Sequence, residues 1–239
     1  MQLPGSFAQV SLPDGRTLDY WEGGDPDGSP VLFQPGTPSC RIQGMHGHEA
    51  ALTTGVRLIA VSRPGYGASS TTPPGLASVG RDAGLLADAL GLDEYAVLGV
   101  SGGGPYAVAC GLADPERVRH VGVGAGVGHW PEIEIPTPAD EGERRLLAVG
   151  AAGHVEPATA GFVAIAQREF EPLLALDDEA MLDEFFAGAP AGDVDRDSTT
   201  FRAIWAADLR EGLHSYDGYV RDNLSWGMPW DIELGAVSV

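Results

Sequence analysis

The stretch Tyr95-Ala-Val-Leu-Gly-Val-Ser-Gly-Gly-Gly-Pro-Tyr-Ala-Val-Ala-Cys110 constrains the fold of this chain more than any other. Residues 95–98 are a short apolar run of the buried-strand type. A G-x-S-x-G, Gly99-Val100-Ser101-Gly102-Gly103, interrupts it, and residues 105–112 continue with helical character. Strand, tight turn and helix in that succession hold the central serine in a strained backbone and need small residues on either side. The turn lifts the Ser101 hydroxyl clear of the sheet and points the positive end of a helix at it. Ser101 is therefore the candidate nucleophile. The competing reading is a purely structural glycine turn.

The rest of the first half alternates strand and helix. Residues 6–12 and 17–23 alternate in polarity around Pro13-Asp14-Gly15, which predicts a hairpin. Residues 31–34 and 57–61 are apolar strands, residues 41–54 a weak helix, and residues 77–90 carry apolar groups at helical spacing up to a stop at Gly91. Residues 118–123 follow as a sixth strand. An antiparallel start and then βαβ repeats predict an α/β fold, a mostly parallel sheet with helices on both faces. Ligands in such sheets bind at the carboxyl ends of the strands. The turns at Gly36-Thr37, Ser62-Arg63 and Ser101 all fall there.

Three motifs together resemble the α/β-hydrolase family, at its capped, esterase- and peptidase-like end. They are the G-x-S-x-G, Pro35-Gly36-Thr37-Pro38 where the family has H-G-x-P, and Ser62-Arg63-Pro64-Gly65-Tyr66-Gly67-Ala68-Ser69 where it has D-R-P-G-x-G-x-S. The match runs from about residue 7 to residue 128. Proline stands for the histidine of the first motif and serine for the aspartate of the second. The resemblance implies a serine hydrolase of esters, lactones or amides. A tetrahedral oxyanion needs two preorganised N–H donors. The residue after the nucleophile, Gly102, supplies one, and the resemblance makes Thr37 the other.

Past residue 130 the pattern changes. Pro131, Pro136 and Pro138 mark a crossing, and helical stretches follow at 139–151, 158–175, 178–187, 198–211 and 215–226 with no strand between them. The resemblance divides the chain into a core (1–130), an inserted helical cap (131–228) and a lead-in to a seventh strand (229–239). In the family an acid and a histidine follow strands 7 and 8. By that comparison two βα units would follow Val239, so this chain is expected to be C-terminally incomplete and to turn over poorly. Neither group is assigned by resemblance. His129, with Glu132 or Glu134, is the candidate for a substitute base and acid, because it follows strand 6 at the correct edge of the sheet; the competing reading is a loop histidine with no chemical role. The alternative function is a non-catalytic protein that binds a small apolar ligand under the cap.

Composition narrows the partners. The chain has 239 residues, fourteen arginines, no lysine and a net charge of −20. Residues 1–130 set seven arginines against twelve acids, a net of −5; residues 131–239 set seven against twenty-two, a net of −15. Such acidity argues against nucleic acid and anionic membranes. No leader pattern opens the chain and no window of about 18 apolar residues occurs. A cytoplasmic enzyme acting on a small molecule is expected, with no cofactor. Cys40 and Cys110 form neither a metal spacing nor a disulfide framework, and His46 with His48 lacks a partner at ligand spacing, so no metal is expected. With the sheet ending at strand 6, Val118, Val121 and Val123 are expected on or near an exposed apolar edge that promotes self-association.

Overall fold

The computed structural model describes residues 3–129, 141–190, 195 and 197–236. Among these the sheet has six strands in the order β1-β2-β4-β3-β5-β6. They are β1 Ser6–Ser11, β2 Thr17–Gly24, β3 Ser29–Gln34, β4 Val56–Ser62, β5 Tyr95–Val100 and β6 Val118–Gly124. β1 and β2 form the expected antiparallel hairpin, with Gly15 at φ +85° in its turn. β2 also runs antiparallel to β4, while β4-β3, β3-β5 and β5-β6 are parallel. The chain leaves β3 for β4 on one side and returns to β5 on the other. The order thus reverses between the carboxyl ends of β3 and β5, where open α/β sheets keep their ligand crevice.

Helices cover both faces, as the alternation predicts. On one lie α1 (His48–Thr54) and the 3-10 turn Arg41–Gly47, packed over Trp21, Phe33, Leu58 and Ala60. The weak helix expected at 41–54 is thus two pieces. On the other, α2 (Ala77–Leu90) and α3 (Gly104–Ala113) pack over Leu32, Ile59, Val61 and Val97. A Cβ on Gly80 of α2 would stand 2.4 Å from the Ala109 carbonyl oxygen, so only glycine permits that approach of the two helices. Cys40 and Cys110 are both buried free thiols, and burial raises the pKa of each.

Among the described residues five helices follow: α4 Glu141–Ala151, α5 Val155–Leu174, α6 Asp178–Phe185, α7 Thr199–Gly212 and α8 Asp217–Gly227. They match the helical stretches read from periodicity. Leu147, Phe162, Ile165, Val220 and Leu224 form one apolar cluster, and Leu173, Met181, Leu182 and Leu209 a second. α7 packs on the Arg41–Gly47 turn: Ser39 Oγ and Cys40 N donate to the buried Asp208 at 2.5 and 2.9 Å. No described helix is long and apolar enough to cross a membrane.

The expectation for β6 needs correction. β6 is an edge strand, but Val118 is only 1% exposed, because the strand start is clamped by Tyr95 N donating to Arg117 O and sits over the α2–α3 core. Val121 is partly buried; Val123 alone of the three is open, at 48%. Residues 229–236 carry no strand. Asp231 Oδ1 accepts from Leu76 N and Ala77 N at 2.8 and 3.1 Å, capping α2 from across the chain, and Leu234–Ala236 is a 3-10 turn.

Candidate active site

Ser101 has φ +52°, a left-handed conformation that non-glycine residues rarely adopt. The glycines around it explain how the turn is held. A Cβ on Gly99 would lie 2.3 Å from the Gly103 carbonyl oxygen, and one on Gly103 would lie 2.0 Å from that of Gln34. Only bare backbone lets β5, the turn and β3 pass this closely. Residues 101–103 form a 3-10 turn that runs into α3 with Pro105 in its first turn, and Val127 N donates to the Ser101 carbonyl at 3.1 Å.

The turn after β3 lies directly against this serine. A Cβ on Gly36 would be 3.6 Å from the Ser101 Cβ, and one on Gly102 would be 2.5 Å from Thr37 Oγ1 and 3.4 Å from Thr37 N. Ser101, Gly102 and Thr37, which the sequence only nominated, are therefore neighbours. The Gly36 amide is already committed to Gln43 Oε1 at 2.7 Å.

Behind this turn sits a polar cluster that sequence reasoning missed. The carboxylate of Asp222, on α8, is fully buried and accepts five hydrogen bonds. Arg63 donates from Nη2 to Oδ2 at 2.6 Å and from Nε to Oδ1 at 3.2 Å. Thr37 Oγ1 and Tyr66 OH donate to Oδ2 at 2.5 and 3.0 Å, and Tyr106 OH donates to Oδ1 at 2.7 Å. Burial alone would lower the Arg63 pKa, but the Asp222 carboxylate outweighs it and holds the guanidinium above its ordinary value. Burial, then the same carboxylate, raises the pKa values of Tyr66 and Tyr106, keeping both phenols protonated as donors. Arg63 also donates to the carbonyls of Pro35 (2.5 Å) and Gly36 (2.8 Å). Arg63 lies in a recognised motif; a lone aspartate between Val220 and Leu224 gave no signal.

Beside the turn a cavity of about 400 Å³ opens between the sheet and the helices. Phe33, Leu58, Leu98 and Val100 line its sheet side, Gln43 and His46 one flank, and Phe186, Phe201 and Trp205 the far wall. The His46 ring packs on Phe201 and Trp205, with centroids 5.0 and 5.3 Å apart. Desolvation by these rings lowers the imidazole pKa, while the residue as a whole stays exposed to solvent. No charged side chain lines the cavity.

The other histidines are placed as follows. His48 Nδ1 accepts from Gly24 N at 3.0 Å, His120 lies on β6, His154 precedes α5, and His214 contacts the Glu211 carbonyl. His129 packs its ring on Trp230 with centroids 5.5 Å apart. Glu132 and Glu134, its suggested partners, lie outside the described residues. Among the described residues no cluster of histidine, cysteine and carboxylate groups could hold a metal ion.

No protein-family model matches the chain. An uncharacterized hydrolase of Bacillus subtilis (strain 168), YcgS, is 35% identical over 107 residues, which span 44% of this chain and 37% of that protein. A hydrolase from Pseudomonas aeruginosa PA01 superposes with a TM-score of 0.51 at 26% identity, over 91% of this chain and 73% of its own. An alpha/beta hydrolase fold protein from Nakamurella multipartita does so with a TM-score of 0.53 at 25% identity, over 91% and 74%. Epoxide hydrolase VrEH1 from Vigna radiata gives 0.59 at 18% identity, over 95% and 75%, a likeness of fold alone. With the sheet order, the left-handed serine after β5 and the glycine turn after β3, these likenesses make the chain an α/β-hydrolase fold protein.

Proposed function

We propose that this protein is a serine hydrolase of small molecules, cleaving an ester, lactone or amide bond through an acyl-enzyme on Ser101. The observation that carries the reading is Ser101 at φ +52° at the end of β5, packed against the Gly36-Thr37 turn. Ser101 Oγ attacks the carbonyl carbon, and a general base, for which His129 is the candidate read from the sequence, takes its proton and returns it to the departing alcohol or amine. The N–H groups of Gly102 and Thr37 receive the negative oxygen. Gly36 does not compete, because its amide serves Gln43. Collapse expels the alcohol or amine, and water then releases the acid. The helices within residues 131–228 act as a lid over the core of residues 1–130, and the uncharged cavity beside Val100 accepts an apolar acyl group.

The cavity also favours a second reading, a protein that holds a small apolar ligand without turnover. A fluorophosphonate probe with peptide mapping separates the two. Labelling of Ser101 in the native chain and its loss in Ser101→Ala is the expected result. An unlabelled native chain that still quenches Trp205 fluorescence with an apolar ligand would leave the binding reading.

A further inference from the structure

We infer that Asp222 is a positioning residue, which sets the direction of the Thr37 backbone N–H from the distant helix α8; the inference rests on the reading of Thr37 as an oxyanion donor. The argument is one of peptide planes. In a trans peptide the C=O of one residue and the N–H of the next point in opposite directions. Arg63 draws the Gly36 carbonyl toward itself at 2.8 Å. The Thr37 N–H, in the same plane, must then face away from Arg63. The serine turn flanks this peptide: a Cβ on Gly36 would stand 3.6 Å from the Ser101 Cβ, and one on Gly102 would stand 3.4 Å from Thr37 N, while Arg63 Nη2 also donates to Thr37 Oγ1 at 3.1 Å. Arg63 likewise draws the Pro35 carbonyl at 2.5 Å, which turns the Gly36 N–H toward Gln43. One guanidinium thus orients two successive peptides.

A guanidinium can do this only if its own plane is fixed. Asp222 fixes it through the paired Nε and Nη2 contacts, with both side chains fully buried. The same carboxylate takes the Thr37 hydroxyl at 2.5 Å, and so holds the residue whose amide matters by a second handle. Tyr66 and Tyr106 complete its coordination and leave it no freedom to turn. Asp222 faces neither the cavity nor a reacting atom. It acts through Arg63 and Thr37, and it makes donor geometry depend on α8 being docked.

Asp222→Asn keeps the shape and removes the charge. In the folded variant we expect kcat for an activated ester to fall about 100-fold, the scale of losing one oxyanion donor, with KM nearly unchanged. We also expect the peptide covering residues 34–42 to lose hydrogen-exchange protection while residues 79–97 keep theirs. The exchange readout does not depend on Ser101 chemistry. Lost protection at 34–42 with an unreactive native Ser101 would sustain the positioning role and sink the serine-hydrolase reading. Unchanged protection in folded Asp222→Asn would overturn the positioning role whatever the activity. Should that variant not fold, Thr37→Val removes one handle at similar shape, and the same loss or retention of protection decides.

Discussion

Arg63 and Asp222 stand 159 positions apart in the chain and meet with both side chains fully buried, Nη2 to Oδ2 at 2.6 Å. Neither could be enclosed alone. A buried charge that loses its partner costs far more than the pair contributes, since desolvation remains and the attraction is gone.

Arg63→Met and Asp222→Leu should therefore each destabilise the protein by about 3–5 kcal/mol. The double variant should lose less than the two together, with a coupling of about 1–3 kcal/mol. Urea unfolding of the four proteins measures this. Additive losses would mean that the two charges do not stabilise each other.

Gly103 offers a sharper steric test. An alanine there would push its Cβ to 2.0 Å from the Gln34 carbonyl oxygen, backbone against backbone. Gly103→Ala should cost about 3 kcal/mol, at the upper end of overpacking in a close-packed interior. At Gly36, where the nearest atoms stand at 3.6 Å, alanine should be tolerated within about 0.5 kcal/mol, the range of a substitution that meets no clash. Equal stability of the two variants would remove the close β3–β5 passage as the reason for glycine.

Asp208 gives a pH dependence. Burial raises its pKa from 3.8 to about 6, although hydrogen bonds from Ser39 and Cys40 pull it down. The folded form thus holds a proton that the unfolded form has released between pH about 4 and 6. This group's contribution to stability is greatest below pH 4 and is lost as pH rises through 6. Unfolding at successive pH values should show that decline in the native protein, on the order of 3 kcal/mol. Asp208→Asn should flatten it. An unchanged slope in the variant would assign the decline elsewhere.

What the sequence disclosed was local. The passage from β5 through Ser101 into α3 is encoded within sixteen consecutive residues, and its glycines declare the turn. The helices after residue 140 showed in their periodicity. What stayed hidden was made by distant residues. Asp222 looks in sequence like a carboxylate on an amphipathic helix, and nothing local says that two tyrosines, an arginine and a threonine converge on it. Asp231 capping α2 was invisible for the same reason, because the cap residue is about 150 positions from the helix it serves. The burial of Val118 could not be read locally, because an edge strand still buries its first residue when a neighbouring helix pair overhangs it.

The open edge of β6 predicts association. Val123, 48% exposed, lies on a strand with no neighbour on its outer side among the described residues. Sedimentation velocity over a concentration series should show reversible self-association of the 239-residue chain, and Val123→Lys should suppress it, as charge does on natural sheet edges. A native chain that sediments as a monomer throughout would show that this edge is not sticky.

The two buried cysteines have a practical consequence. With Cys40 and Cys110 enclosed and their thiols held protonated by burial, the folded surface offers no native thiol to a reagent. A cysteine introduced at an exposed position on α6 and another on α1 would be the two sites a maleimide dye reaches first. A pair of dyes so placed turns the molecule into a ruler that reads, one molecule at a time, the distance between α6 and the sheet-packed α1.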